Sequence, residues 1–295
     1  LHMYKKKETL IGYAFVAPAL ISFFVLVAFP FFFSIFLAFT KWNFLSGFKG
    51  IQWVGLENFK NLLEDKLFIQ AIKNTFFYAI TTVPVSIVIS LILAYILNGK
   101  IFLRKFLRMC FFIPYISSIV ALAAVFKFLF REEGPINDML MKVNMISEPM
   151  KWLTNPSLSR VPIVLILIWS AIGFELIVYM AAIQNVPKEL YEAADIDGAN
   201  SFRKFWKITF PMISPTTFYL VVVRMIAAFK VFSAINIMTT GTQAKENTSM
   251  VVLIYGNAFS DYKFGYASAE AVVLFFIILA VTIVNFIGQK KWVHY

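Results

Sequence analysis

Six membrane-spanning helices in an all-α fold are what this sequence predicts. Hydrophobic residues make up 60% of its 295 positions and charged residues only 15%, against about 25% charged in a soluble domain. Mean hydropathy is +0.76. Apolar runs with few or no charges recur six times, each long enough for the roughly 20 residues that cross a hydrocarbon core of about 30 Å.

The first span falls at roughly 10–38, within a stretch from Thr9 to Thr40 that carries no charge; Pro18 and Pro30 are expected to kink it or shorten its spanning part. The second runs roughly 74–97, and the third roughly 106–130 with Lys127 inside it. The fourth, roughly 160–184, contains Glu175, and Gly173 marks an expected irregularity there. The fifth, roughly 211–238, opens at Pro211 and carries Arg224 and Lys230; the sixth, roughly 265–288, carries Glu270. The 34 phenylalanines suit lipid-facing and helix-packing surfaces. Leu1-His2-Met3 reads as a cloning scar, and residues 4–295 as one membrane domain without an internal repeat or flexible linker.

Six spans put both termini on one side. With the termini inside, segments 1–8, 98–108, 184–208 and 289–295 hold 13 Lys and Arg in 51 residues, against 11 in the 91 residues of the opposite loops. Basic residues concentrate on cytoplasmic loops, so the N- and C-termini, the Arg104/Lys105/Arg108 cluster and the segment around Glu192 are expected in the cytoplasm of a multi-pass protein. The same rule accounts for the net charge of +11, which in a soluble chain would point to nucleic acid and here does not. On the other side, Gly55 to Leu63 reads as a turn leading into a short amphipathic helix.

Several chemistries are excluded. The only histidines are His2 and His294, so the interior offers no histidine triad or histidine metal site. The single cysteine, Cys110, cannot close an intrachain disulfide. No GxxxxGK[ST] loop is present, so the chain has no Walker-type ATP site of its own. A membrane enzyme is therefore disfavoured, and no catalytic residue is expected.

Between spans four and five lies a polar segment that reads as helix–turn–helix. Pro187 suits a first helical turn, and Lys188 to Ala194 form a short helix. Asp197-Gly198 is a turn signal, and Asn200 or Ser201 caps a second helix. In that helix Phe202, Phe205, Trp206 and Thr209/Phe210 share one face, while Arg203, Lys204 and Lys207 point elsewhere, toward headgroups or a partner.

Glu192-Ala193-Ala194, then Asp197-Gly198-Ala199, Ile208, Pro211 and Pro215 together resemble the EAA coupling loop of the membrane subunits of ATP-binding-cassette importers. The resemblance covers nearly the whole chain. Tyr13 to Leu20 with Pro30, Val54 to Leu63, Asn74-Thr75-Phe76, Val186 to Tyr191 and Phe229 to Phe232 are similar to maltose-type sugar permeases of the first-subunit type. The usual Gly-Gly-Pro after the fifth span is replaced by Gly241-Thr242-Gln243, which bears on the shape of one outer loop. The resemblance implies a binding-protein-dependent sugar importer in a prokaryotic cell membrane. Its implied partners are a second homologous permease, an ATPase dimer that carries ATP and magnesium, and an extracellular solute-binding protein. It implies that Glu192, Ala193, Ala194, Asp197 and Gly198 dock on the ATPase, and that this chain needs no cofactor.

Charges within spans are costly and are functional candidates by default. Lys127 is expected to snorkel; Glu175 and Arg224 are positioned to pair across neighbouring helices. The pathway candidates are Trp169, Gly173, Phe174, Glu175, Tyr179, Phe229, Lys230, Phe232 and Asn236. An oligosaccharide is the favoured substrate. The alternatives are an acidic saccharide or polyol phosphate within the same importer class, and an ion-coupled secondary transporter in a different one. The second would need an ion site and often duplicated halves.

Overall fold

The computed structural model describes residues 2–99, 101–239 and 247–293, with side chains from Ile11 onward; Gly241-Thr242-Gln243 and His294 lie outside the described residues. The order is α1 (His2–Phe23), a π turn (Phe24–Ala28), α2 (Phe29–Ala38), strands β1 (Thr40–Lys41) and β2 (Gln52–Trp53), and α3 (Glu57–Glu64). Then come α4 (Lys66–Asn98), α5 (Arg104–Ile116), α6 (Ile119–Leu129), α7 (Pro135–Lys142) and α8 (Arg160–Gln184). The segment after α8 forms α9 (Lys188–Ile196), α10 (Ser201–Lys204), a second π turn (Phe205–Thr209) and α11 (Phe210–Met212). The remainder is α12 (Ser214–Phe229), α13 (Ser233–Thr239), α14 (Met250–Tyr255), a third π turn (Gly256–Ser260) and α15 (Phe264–Gly288).

Among the described residues, five helical stretches are long and apolar enough to cross a membrane, and a sixth span results if α5 and α6 count as one. The chain forms two compact units, residues 1–65 with 254–275 and residues 66–253 with 276–295. In the first, Ile11–Ala38 is apolar on every side and almost wholly uncovered, the pattern of a helix that meets lipid or another subunit. Asn58 Nδ2 donates to the carbonyls of Ala38 and Thr40, 2.9 Å each, and closes the end of α2. The short helix expected after Gly55 is α3, with Leu62 buried and Leu63 exposed.

In the second unit α8 packs along α4 and α5, α12 along α4, and α13 on α6. Tyr78, Ala123, Ile163, Ile166, Ala234, Ile235 and Met238 form its core. A polar knot pins one end: Arg160 Nε donates to Asn247 Oδ1 (2.8 Å), its Nη2 donates to Asn74 Oδ1 (3.0 Å), and Tyr78 Oη donates to the Asn247 carbonyl (2.9 Å).

The prolines act differently from expectation. Proline lacks an N–H for the carbonyl four residues back and crowds it. Before Pro30 and before Pro211 the helix widens into a π turn, Phe24–Ala28 and Phe205–Thr209, and continues. Span one therefore runs on to Ala38. The real break is in span three, expected as one helix. Ser117 and Ser118 take extended ψ values of 148° and 123°, and α5 and α6 meet at 97°. Span four, expected to be irregular at Gly173, is one continuous helix. Gly173 instead lets α5 come close: a Cβ there would lie 2.7 Å from the Phe111 carbonyl oxygen.

Candidate functional site

The segment 187–212 is a braced helix–turn–helix. Pro187 stands at the N-cap of α9 rather than inside its first turn, and α9 continues to Ile196. Its end is a Schellman cap: Ala199 N–H donates to the Ala194 carbonyl (2.8 Å) and Gly198 N–H to the Asp195 carbonyl (3.1 Å). Gly198 has φ +70°, a conformation that costs side-chain-bearing residues about 1–2 kcal/mol. Asn200, not Ser201, caps α10, accepting from Arg203 N–H at 2.9 Å; such a cap contributes about 1 kcal/mol.

Two further contacts join the arms. Lys204 folds back to pair with Asp195 instead of pointing away, and the Tyr191 and Thr209 hydroxyls lie 2.9 Å apart. The expected aromatic face exists: Trp206 meets Phe205 at 5.3 Å and Phe210 at 5.2 Å. It is anchored to a span by Tyr95 of α4, whose ring contacts Phe205 edge-on at 4.9 Å. The outer surface of this device is uncovered. No residue of α9 is buried; Glu192, Ala193, Asp197 and Gly198 are exposed, Ala194 is half-buried, and Ile196 is 88% exposed.

Glu175 and Arg224 meet across α8 and α12. Arg224 Nε lies 3.0 Å from Glu175 Oε1, without the alignment of a hydrogen bond. Ser86 and Ser90 of α4 donate to Oε1 (2.9 Å) and Oε2 (2.8 Å). Glu175 is fully buried, so this pair with its two hydroxyls keeps the carboxylate compensated inside the bundle.

Beside the pair is a cavity of about 230 Å³ lined by Thr82, Pro114, Tyr115, Ser117, Ile119, Leu167, Ser170, Arg224, Ala227, Ala228 and Val231. It sits at the α5–α6 break and at the non-helical step between α12 and α13. Broken helices line substrate sites in transporters because their freed backbone groups are tolerated only at a cavity.

None of the nine pathway residues expected from sequence lines this cavity. Gly173, Glu175, Tyr179 and Phe229 are buried; Phe174, Phe232 and Asn236 are half-buried; Trp169 and Lys230 are exposed. Phe229 packs edge-on against Phe76 at 5.0 Å, Trp169 lies tilted against Phe126 at 5.7 Å, and Phe174 stacks on Tyr115. The cavity takes their neighbours instead, Ser170 beside Trp169 and Val231 beside Lys230; one residue turns a helix by about 100°. Thr82, Tyr115, Ser117 and Ser170 were missed. The signal for them was Pro114-Tyr115-Ile116-Ser117-Ser118, a proline and two serines in the middle of an apolar run. Lys127 Nζ donates to the Ile237 carbonyl on α13 at 3.1 Å.

Residues 86–292 match the family described as "Binding-protein-dependent transport system inner membrane component". The chain belongs to that family. As an inner membrane component it is a non-catalytic subunit of a transport system. It is 33% identical to the probable ABC transporter permease protein YesP of Bacillus subtilis, over 98% of this chain and 94% of that protein. It is 31% identical to the lactose transport system permease protein LacF of Rhizobium radiobacter, over 94% of this chain and 92% of that protein. Among solved structures, a chain of a bacterial ABC transporter involved in the import of the acidic polysaccharide alginate superposes with a TM-score of 0.86 at 26% identity, covering 99% of both chains. That transporter has also been solved in complex with an alginate-pentasaccharide-bound periplasmic protein.

Proposed function

We propose that this permease passes an oligosaccharide through the cell membrane of a prokaryote, driven by ATP hydrolysis on a separate subunit. The observation that carries the reading is the braced, uncovered segment 187–212, a stiff contact surface fixed to α4 by Tyr95–Phe205. In this reading the segment and both termini face the cytoplasm. Glu192, Ala193, Ala194, Asp197 and Gly198 dock on an ATPase dimer, which binds ATP and magnesium. Closure of that dimer carries α9 with it and turns the attached spans as a rigid body. Such coupling requires contacts that differ between the two states, and a floppy loop would dissipate them.

The cavity of about 230 Å³ is below the usual 300–1,000 Å³ of ligand sites, which supports a pathway completed by a second, homologous permease. An extracellular solute-binding protein delivers the sugar, which is supported by the alginate transporter solved in complex with a pentasaccharide-bound periplasmic protein. The hydroxyls of Thr82, Tyr115, Ser117 and Ser170 suit a hydroxyl-rich ligand. Among the described residues Arg224 is the one charged lining residue, and Glu175 already compensates it, which favours a neutral saccharide. The uncovered side of Arg224 supports a second reading, an acidic saccharide. The complex is reconstituted with its binding protein and offered neutral and acidic oligosaccharides. Neutral sugars are expected to stimulate ATP hydrolysis and be taken up; stimulation by acidic sugars alone selects the second reading, and none by either removes both.

A further inference from the structure

A larger cavity, about 680 Å³, lies away from the pathway, where α4 ends, α5 begins, α8 ends and α9 begins. Among the described residues its charged lining is Arg104, Lys105, Arg108 and Lys188, with Asn98 and Gln184 beside them and no acidic side chain. Four cations around one cavity repel each other unless an anion joins them. The guanidinium groups are also incompletely used. Among the described residues, Arg108 Nε and Nη2 and Arg104 Nε are shielded from solvent and have no hydrogen-bond partner, while Arg104 Nη2 donates to Asn98 Oδ1 at 3.3 Å. Buried donors left this way are costly, and their fork geometry fits phosphate oxygens.

The surroundings identify the phosphate's carrier. The cavity lies at the ends of the long apolar helices α4 and α8, and in the membrane reading the end of a spanning helix meets the headgroups. On the same short stretch Phe102 is 87% exposed, and Leu103, Phe106 and Met109 are each more than half exposed. Cationic donors beside uncovered apolar side chains match a molecule with a phosphate head and acyl tails, and basic pockets between spans are known to hold anionic headgroups.

We infer that this cavity holds the phosphate of an anionic phospholipid, bridging α5 to the start of the coupling helix through Lys188. The inference needs only the membrane reading, not the identity of the sugar. It is tested by native mass spectrometry of the intact transporter complex, delipidated and then offered phosphatidylglycerol and phosphatidylcholine in equal amounts. The wild type is expected to retain phosphatidylglycerol preferentially. The Arg104→Gln/Arg108→Gln variant should lose that retention by roughly thirtyfold, at about 1 kcal/mol for each of the two basic residues, with phosphatidylcholine unaffected. Lys105 is exposed, so Lys105→Gln leaves packing intact and should give a smaller loss in the same direction. Equal retention of both lipids by the wild type, or unchanged retention in both variants, overturns the inference. So does displacement by millimolar inorganic phosphate, which makes this a free-anion site. A photo-crosslinker at position 105 that captures a protein subunit instead of lipid also overturns it. Because the readout is lipid retention, it stands apart from any failure of sugar-stimulated ATP hydrolysis.

Discussion

Glu175 is a fully buried carboxylate held by one guanidinium and two serine hydroxyls. Removing one member of such a pair leaves an uncompensated charge at a cost of about 3–5 kcal/mol, whereas replacing both with apolar residues is often neutral. Arg224→Met should therefore lower the thermal melting temperature of the purified complex markedly, and Glu175→Met/Arg224→Met should recover most of the loss. Equal melting of the single variant and wild type would show the pair to be dispensable. Gly198 presents a different problem. No atom of this chain lies within 4 Å of where its Cβ would be, so a Cβ there meets no neighbour within the chain and the strain comes from the φ of +70°. Gly198→Val therefore tests the shape of the loop together with its docking face.

At the scale of elements, the loop's stiffness rests on small, separable contributions. Asn200→Ala removes the α10 cap and should cost about 1 kcal/mol. Hydrogen exchange over residues 200–212 should rise while the spans keep their protection; unchanged exchange would mean the aromatic cluster alone holds the second arm. Lys204→Ala should change less, since Asp195 is largely exposed and such pairs contribute at most about 1 kcal/mol.

This loop was legible in sequence because its signals are local. Pro187, Asp197-Gly198 and Asn200 each impose a backbone conformation within a residue or two. The six apolar runs were legible from length and lack of charge. The 97° break between α5 and α6 was not, because Ser117 and Ser118 leave hydropathy nearly unchanged and decide only ψ. The cavity lining was not legible for a related reason: the aromatic candidates Phe229 and Tyr179 are buried in packing, and the small hydroxyl residues Ser117 and Ser170 line the space instead. Lys204's return to Asp195 and Lys127's bond to α13 depend on tertiary approach, which no single-segment pattern carries.

Over the whole molecule, the pathway reading makes Ser170 and Thr82 the residues to block. Ser170→Trp fills a cavity of about 230 Å³ and should reduce sugar uptake by at least about tenfold, while the complex still assembles and retains basal ATP hydrolysis. Phe232→Ala and Asn236→Ala, beyond the lining, should weaken uptake less. Full uptake in Ser170→Trp would move the pathway elsewhere. The nearly uncovered apolar helix Ile11–Ala38 is suited to lipid or to another subunit of the transport system to which the family belongs.

The central claim is that the braced segment 187–212 transmits the work of ATP hydrolysis. Its most direct test is substrate-stimulated ATP hydrolysis by the reconstituted complex carrying Glu192→Ala or Gly198→Val, with assembly checked by size. The account predicts intact complexes whose hydrolysis no longer responds to sugar and binding protein. Wild-type stimulation in both variants would contradict it.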